Sequence, residues 1–531
     1  MKANVDAIVA RDNRVFAYGW AFEPASVLRA LRLDVTLTDG KVVSLPLNYG
    51  KARPDVAVVF PDEKQAHYSG WMAYAAWEGP PAESFSLRGT LQDGTVTSLL
   101  LPASAIGVAA VVPAASPTLP QRAASRLLKI FKNPVVEPAP VAENMSFTGP
   151  EGVLAASVID YLRSALSTAD QDRCTLALDH DMGGGANHYR KQWMRDRAGA
   201  RHVALLLGFE ISSQRYFLEI TVAGISECFF MADDSIVEML IQSCLVDEVF
   251  YNDAVSFPKP GDVPDWLLSF KRVAKARLTV AIHDYFSICP SQFLLNDAGR
   301  YCRIPDISEC LRCLPNNENE FATLFTSRSI PEWRGKWSSA LVAADAIICF
   351  SQSSKTLLMR AYPELGDAYL RIEPHAIEPF EEMPKIDSAA PLHLGVVGSI
   401  GIHKGAQVLQ GLADEIAMRG GNVRITVIGS VDLPCDPLVL QTTGPFQRDQ
   451  LPRLVEESAI NLFLLPSICP ETFSYVTQEL MSLNLPLACF DLGAPADRVA
   501  RYSKGRVLHR SDAGSLLDDL LRFHQDLAAA I

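Results

Sequence analysis

Two glutamates, Glu471 and Glu479, are separated by seven residues in PETFSYVTQELMSLNLPL (470–487), after an apolar run and at the opening of a helical pattern. A helix starting near Phe473 aims its free backbone N–H groups and positive dipole end at whatever lies above the preceding strand, and a diphosphate suits that place. Glu471 at the helix entrance and Glu479 about two turns on then reach hydroxyls at opposite ends of a sugar nucleotide. In the same half of the chain, GSIGIHKGAQVLQGLA (398–413) puts Lys404 in a glycine-bounded loop after a strand. Taken alone, such a lysine is a solvated residue at a helix start. Further upstream, Gly183, Gly184 and Gly185 follow the apolar run CTLALDHD (174–181), and a triple glycine lets backbone approach a ligand closely. His283 ends another apolar run in TVAIHDYFSICP (279–290), where a lone histidine is more often structural than catalytic. Cys289, Cys302, Cys310 and Cys313 offer a C-x-x-C pair and two more thiols. They read either as a tetrahedral structural zinc site stapling a loop over a cleft or as scattered buried thiols.

The elements that must position these residues alternate strand and helix from about residue 170, which implies parallel sheets covered on both faces. Strands are expected at 174–181, 201–208, 248–252, 278–283 and 346–350, and in a second series at 392–399, 423–430, 461–466 and 486–491. Two doubly wound domains follow, hinged near EPFEEMPK (378–385), with ligands at the carboxyl ends of the strands. The first hundred residues have another texture. Leu31, Leu33, Val35 and Leu37 alternate with Arg32, Asp34, Thr36 and Thr38, and Asp39-Gly40 and Asp93-Gly94 are strong hairpin turns. This stretch reads as a small β-sandwich, with Trp20 and Trp71 as core in preference to sugar-stacking platforms.

Residues 103–150, rich in Ala, Pro and Val, read as a linker. Within it, QRAASRLLKIFKNP (121–134) sets Leu127, Leu128 and Phe131 beside Arg122, Arg126, Lys129 and Lys132, a short basic helix that is either solvated or in peripheral contact with an anionic membrane face.

In their strand, turn and helix context, Glu471 and Glu479 resemble the E-x7-E motif of retaining glycosyltransferases with the GT-B fold, family 4 in particular. Gly398 to Gly405 is similar to that family's glycine and lysine loop, with Ser399 standing where an arginine is usual. The first domain resembles the family across 178–193 and 279–290, and the opening hundred residues resemble an accessory domain of bacterial polysaccharide glycosyltransferases. The resemblance implies a nucleoside-diphosphate sugar as donor, a glycan or lipid-linked acceptor, retention of configuration and no cofactor for catalysis. Glu471 would contact the transferred sugar and Glu479 the ribose. The amides of Ser474, Tyr475 and Val476, with Gly184, Gly185, Gly398 and Ser399, would line the phosphates. Lys404 would neutralise the departing diphosphate, and charge on a leaving group is usually met by the largest catalytic term. His283 would lie close to the reacting sugar.

The implied architecture is α/β: residues 1–102 a β-sandwich, 103–150 a linker, 151–385 an acceptor-side Rossmann-like domain with a cysteine-rich insert at 289–313, and 386–531 a nucleotide-sugar domain. A sugar-nucleotide epimerase and an inactive glycan-binding scaffold remain open as alternatives.

Bulk properties bound the reading. A chain of 531 residues, 48% apolar and 21% charged, is an ordinary folded globule of several domains. A net charge of −13 argues against a nucleic-acid partner, since neutralising phosphates needs a basic face. Charged residues precede any apolar run long enough for a signal peptide, so a cytoplasmic protein is expected, with peripheral contact at the inner membrane face through 121–134. Eleven cysteines in such a chain are expected as thiols or metal ligands.

Overall fold

The computed structural model describes residues 1–24, 26–101, 106–107, 152–197, 202–318, 320–509 and 511–529. The basic segment 121–134 lies outside the described residues.

The N-terminal part is a sandwich of two antiparallel-paired sheets. Its strands are β1 (Lys2–Arg11), β2 (Arg14–Phe22), β3 (Leu28–Leu37), β4 (Val42–Pro46), β5 (Asn48–Lys51), β6 (Gly70–Ala76), β7 (Ala82–Leu91), β8 (Val96–Leu100) and the short β9 (Ile106–Gly107). One sheet runs β5-β6-β2-β1-β9, where β9 joins β1 in parallel, and the other β4-β3-β7-β8. The two Asp-Gly pairs make the expected turns: Gly40 and Gly94 take φ +83° and +85° between β3 and β4 and between β7 and β8. Leu33, Val35, Phe85 and Leu87 fill the space between the sheets together with Trp71, while Trp20 packs half-buried against Phe60. Both tryptophans therefore pack within the domain.

Two α/β sheets follow. The first contains β10 (Cys174–Leu178), β11 (Val203–Glu210), β12 (Arg215–Val222), β13 (Ile225–Met231), β14 (Val246–Tyr251), β15 (Arg277–Ile282), β16 (Ala346–Cys349) and β17 (Leu370–Ile372), in the order β13-β12-β11-β10-β14-β15-β16-β17. Strands β11, β10, β14, β15, β16 and β17 are parallel, and β12 and β13 extend the edge as an antiparallel hairpin that strand periodicity had not signalled. The second contains β18 (His393–Ile400), β19 (Arg424–Val431), β20 (Leu440–Thr442), β21 (Leu462–Leu465), β22 (Leu487–Phe490) and β23 (Gly505–Leu508), parallel throughout in the order β20-β19-β18-β21-β22-β23. Every residue of β10 and β21 is buried, as expected of strands covered on both faces. The fold is thus a pair of facing Rossmann-like domains preceded by an all-β sandwich.

The cores are distributed unevenly. Phe16, Tyr18 and Tyr74 of the sandwich belong to the same buried cluster as Val158, Ile159 and Leu162 of helix Ala155–Ala169 and the strands of the first sheet. The Tyr74 hydroxyl donates to the Ser256 carbonyl at 2.9 Å, and Arg32 grips Glu318 with two bonds of 2.8 Å. The second sheet has its own cores on its two faces. Among the described residues no helix is long and apolar enough to cross a membrane.

Candidate active site

The residues singled out from the sequence lie on loops at the carboxyl ends of strands in two different sheets, and the fold brings these loops together. The decisive contact is short: the Thr472 hydroxyl donates to the main-chain carbonyl of His283 at 2.6 Å. Glu471, the residue before Thr472, is thereby held at the loop that follows β15. A second contact lies beside it, where the Tyr475 ring packs so closely on Gly185 that an added Cβ would sit 2.6 Å from a ring carbon. Only glycine fits there, which explains one of the three glycines by close approach across the cleft. Gly183 and Gly184 turn the chain with φ +83° and +85° into helix Gly184–Arg197.

Lys404 joins the cluster through its loop. Gly405, with φ +90°, caps helix Ala406–Arg419, and an added Cβ would stand 2.0 Å from the Pro466 carbonyl oxygen. Ile468 N–H donates to the His403 carbonyl at 3.0 Å. The lysine loop is therefore wedged against the segment 466–469 that leads to Glu471. Among the described residues the Lys404 ammonium has no ion-pair partner, so its charge is available to an anion. Gly398 takes φ +116°, and an added Cβ there would meet nothing within 4 Å. Ser399 accepts a bond of 3.3 Å from Ser430 on the neighbouring strand, so two hydroxyls occupy the place of the expected arginine.

The glutamates are set differently. Glu471 accepts a short bond from Ser467, and its own carbonyl receives the Ala494 amide at 2.9 Å. The helix after it runs Tyr475–Ser482, two residues later than the sequence suggested, because Ser474 takes φ +66° and holds the chain out of helical geometry. The first-turn amides of Tyr475 and Val476 lack intrahelical partners, as at any helix N-terminus. Arg498, stacked over Phe473 at 4.4 Å, donates to the Ser474 carbonyl and to Gln478 and so fixes this turn. Burial lowers its pKa to about 10, an effect that Glu471 and Asp497 partly offset. Glu479 is tied at 2.8 Å to Arg448, which lies over Phe380. Burial raises the Glu479 pKa, and Arg448 opposes the shift.

His283 is neutral by construction. Burial depresses its pKa well below the ordinary histidine value, reinforced by His375 and His180. Asn252 donates its amide to the Ala186 carbonyl at 3.0 Å, which leaves its oxygen to accept from His283 Nε2 at 2.9 Å. That pairing assigns the proton to Nε2 and leaves Nδ1 as an acceptor for a hydroxyl. Its ring sits among Tyr189, Phe350 and His375, with centroids 4.5 to 5.5 Å away.

Several members of the cluster were not singled out from the sequence. His375 is buried, accepts or donates one bond of 3.0 Å with the Tyr475 hydroxyl, and is pushed down to about 3 by burial, then by His188 and Arg498. Thr472, Asn252, Arg448 and Arg498 carried no signal in spacing, since their partners lie far along the chain. His375 alone stood in a legible place, a few residues before the hinge.

The four cysteines line one cavity of about 420 Å³, together with Arg300, Arg312 and Arg334. Among the described residues no three His, Cys, Asp or Glu side chains are grouped to hold an ion. Two of the thiols have side-chain partners of their own. Arg334 donates to Cys310 and Asn317 to Cys313, each at 3.7 Å, and burial pushes Cys289 up to about 12, keeping it protonated.

No family model matches the sequence, and no curated protein matches it. Among solved structures, Anabaena HepE in complex with UDP-glucose is similar at 16% identity over 67% of this chain and 90% of that one, with a TM-score of 0.44. Sucrose-phosphate synthase from Thermosynechococcus elongatus is similar at 15% identity over 67% of this chain and 91% of that one, with a TM-score of 0.43. At such identities and scores, the functional reading has to rest on the residues of the cleft.

Proposed function

We propose that the chain is a glycosyltransferase that binds a nucleoside-diphosphate sugar between the two parallel sheets and transfers the sugar to a hydroxyl of a glycan or lipid-linked acceptor with retention of configuration. The observation that supports this reading is the Thr472 to His283 bond, which ties the loop bearing Glu471 on one sheet to the loop bearing His283 on the other. As the bond between the anomeric carbon and the diphosphate oxygen breaks, negative charge grows on the diphosphate. Lys404 and the amides at the start of helix Tyr475–Ser482 are the groups placed to meet it. Glu471 accepts from hydroxyls of the transferred sugar, and His283 Nδ1 accepts another. Glu479, held by Arg448, takes the ribose. In this reading residues 386–531 hold the donor and 151–385 the acceptor, and closure of the cleft excludes water that would otherwise hydrolyse the donor. A role in bacterial surface polysaccharide synthesis is carried over from the family resemblance.

The test is a thermal-shift screen against sugar nucleotides, followed by measurement of nucleoside diphosphate release. Release that depends on added acceptor supports the proposal. Interconversion of two sugar nucleotides without acceptor would assign an epimerase, and binding of no nucleotide would leave a glycan-binding scaffold.

A further inference from the structure

The sandwich touches both catalytic domains, and it touches them in different ways. On the first domain it is anchored broadly, through Tyr74, Phe16, Tyr18 and the Arg32 to Glu318 pair. On the second it reaches over with one edge strand. Gly50 takes φ +96° where the pairing of β5 with β6 slips between Tyr49 and Lys51. Such a bulge re-aims the following side chain, here out of the sheet edge. Lys51 meets Asp432 Oδ2 at 3.1 Å, and an added Cβ on Gly50 would lie 3.7 Å from the Asp432 carbonyl oxygen.

Asp432 is next to the lysine loop. Its amide donates to the Ile400 carbonyl at 3.0 Å, and its carboxylate would lie 3.5 Å from a Cβ placed on Gly401. On the other flank of the same loop, Phe293 of the first domain stacks on His403 with centroids 4.0 Å apart and planes 10° from parallel. The loop 401–405 is thus held from two sides by parts of the molecule that do not belong to its own sheet. The Lys51 and Asp432 side chains are only 17% and 26% exposed, so the pair is less screened than an open surface bridge.

The geometry points to Lys51 as a positioning residue: a strut from the β-sandwich that holds Asp432, and with it the loop carrying Lys404, in the cleft-closed arrangement. The functional half of this inference rests on the donor reading given above; the structural half does not.

The experiment compares the full-length protein with Lys51→Ala, Lys51→Asp, Asp432→Lys and the charge-reversed double variant Lys51→Asp with Asp432→Lys, each checked for folding by circular dichroism. Hydrogen exchange of 401–406 and 432–436 is measured without nucleotide. Exchange is expected to quicken in all three single variants and to return toward wild type in the double variant. Donor affinity is then measured with the tightest binder among UDP-glucose, UDP-N-acetylglucosamine and GDP-mannose. Lys51→Ala is expected to weaken it by about fivefold, the upper range for a single partly exposed ion pair. Turnover at saturating donor should stay within about twofold, because a strut that acts before the transition state alters binding and not the bond-breaking step. The ratio between variant and wild type should close at 1 M salt, where screening acts within about 3 Å. Unchanged exchange in 401–406 in every single variant, or a double variant no better than its parents, overturns the strut. If wild type binds none of the three nucleotides, the donor reading fails while the exchange data still decide the inference.

Discussion

Gly405 offers a direct measure of how tightly the lysine loop and the glutamate loop are fitted. An alanine there would bring Cβ to 2.0 Å from the Pro466 carbonyl oxygen, and the residue would have to keep φ +90°. Relief to an ordinary contact of 3.4 Å or more requires the two loops to part by well over 1 Å, and overpacking of this kind costs about 1 to 3 kcal/mol. The left-handed backbone adds about 1 to 2 kcal/mol for a residue with a side chain. A total near 3 kcal/mol lowers the melting midpoint of a domain this size by about 6 to 12 °C. The same displacement separates Lys404 from Glu471, and a 1 Å misplacement of reacting groups costs on the order of a hundredfold in rate. Gly401→Ala is the control, because its Cβ would meet Asp432 and His403 only at 3.5 and 3.7 Å, without a left-handed backbone. Its stability should lie within about 0.5 kcal/mol of wild type. Differential scanning calorimetry reads the first effect and turnover at saturating donor the second. Equal melting and turnover in the two variants would refute the wedge between these loops.

Glu471→Ala is expected to lower turnover on the order of a hundredfold, since its contacts strengthen as charge develops on the sugar, and Lys404→Ala to depress both donor affinity and turnover. Steady-state kinetics decide this, and normal turnover of both variants at saturating donor would show that the site is elsewhere. Glu479→Ala should mainly raise the donor Michaelis constant, because ribose contacts are alike in ground and transition states. His375 is held neutral in the fold, with a pKa of about 3, and the unfolded chain protonates near 6.5, so its contribution to stability is lost as pH falls below about 6.5. His283 has the same sign, whereas Asp284, raised by burial to about 7, contributes stability that declines as pH rises toward that value. Urea unfolding of His375→Phe between pH 5.5 and 6.5 should therefore show a slope shallower than wild type by about 1 kcal/mol per pH unit.

The parallel strands were legible because burial on both faces writes them as continuous apolar runs, as in CTLAL and LFLL. The hairpin β12–β13 was not, because its turn rests on Ala223 at φ +50° before Gly224, a residue that does not advertise a left-handed backbone. The late start of the helix after Glu471 has the same origin in Ser474. Glu471, Lys404 and His283 stand out in the sequence because each lies beside a strand end or a helix start within one local pattern, and Glu479 because it follows Glu471 in the same segment. Thr472 and Arg448 do not, since what gives them meaning is the register of one sheet against the other, and spacing along the chain carries no information about that. The cysteine spacing brought four thiols to one cavity but could not foretell that Arg334 and Asn317 would engage two of them singly.

The shared cluster around Tyr74 has a consequence for how the molecule comes apart. One outer face of the sandwich is completed by the first α/β domain, whereas the second α/β domain shares only smaller clusters with the first, around Phe473 and around Ile468 and Cys469. On heating, the sandwich and the first α/β domain are therefore expected to lose their common interior together, as one cooperative unit. A chain cut between the sandwich and helix Ala155–Ala169 would leave Phe16, Tyr18 and Tyr74 facing water on one fragment and their aliphatic partners on the other, so the two fragments should be recovered together or aggregate apart.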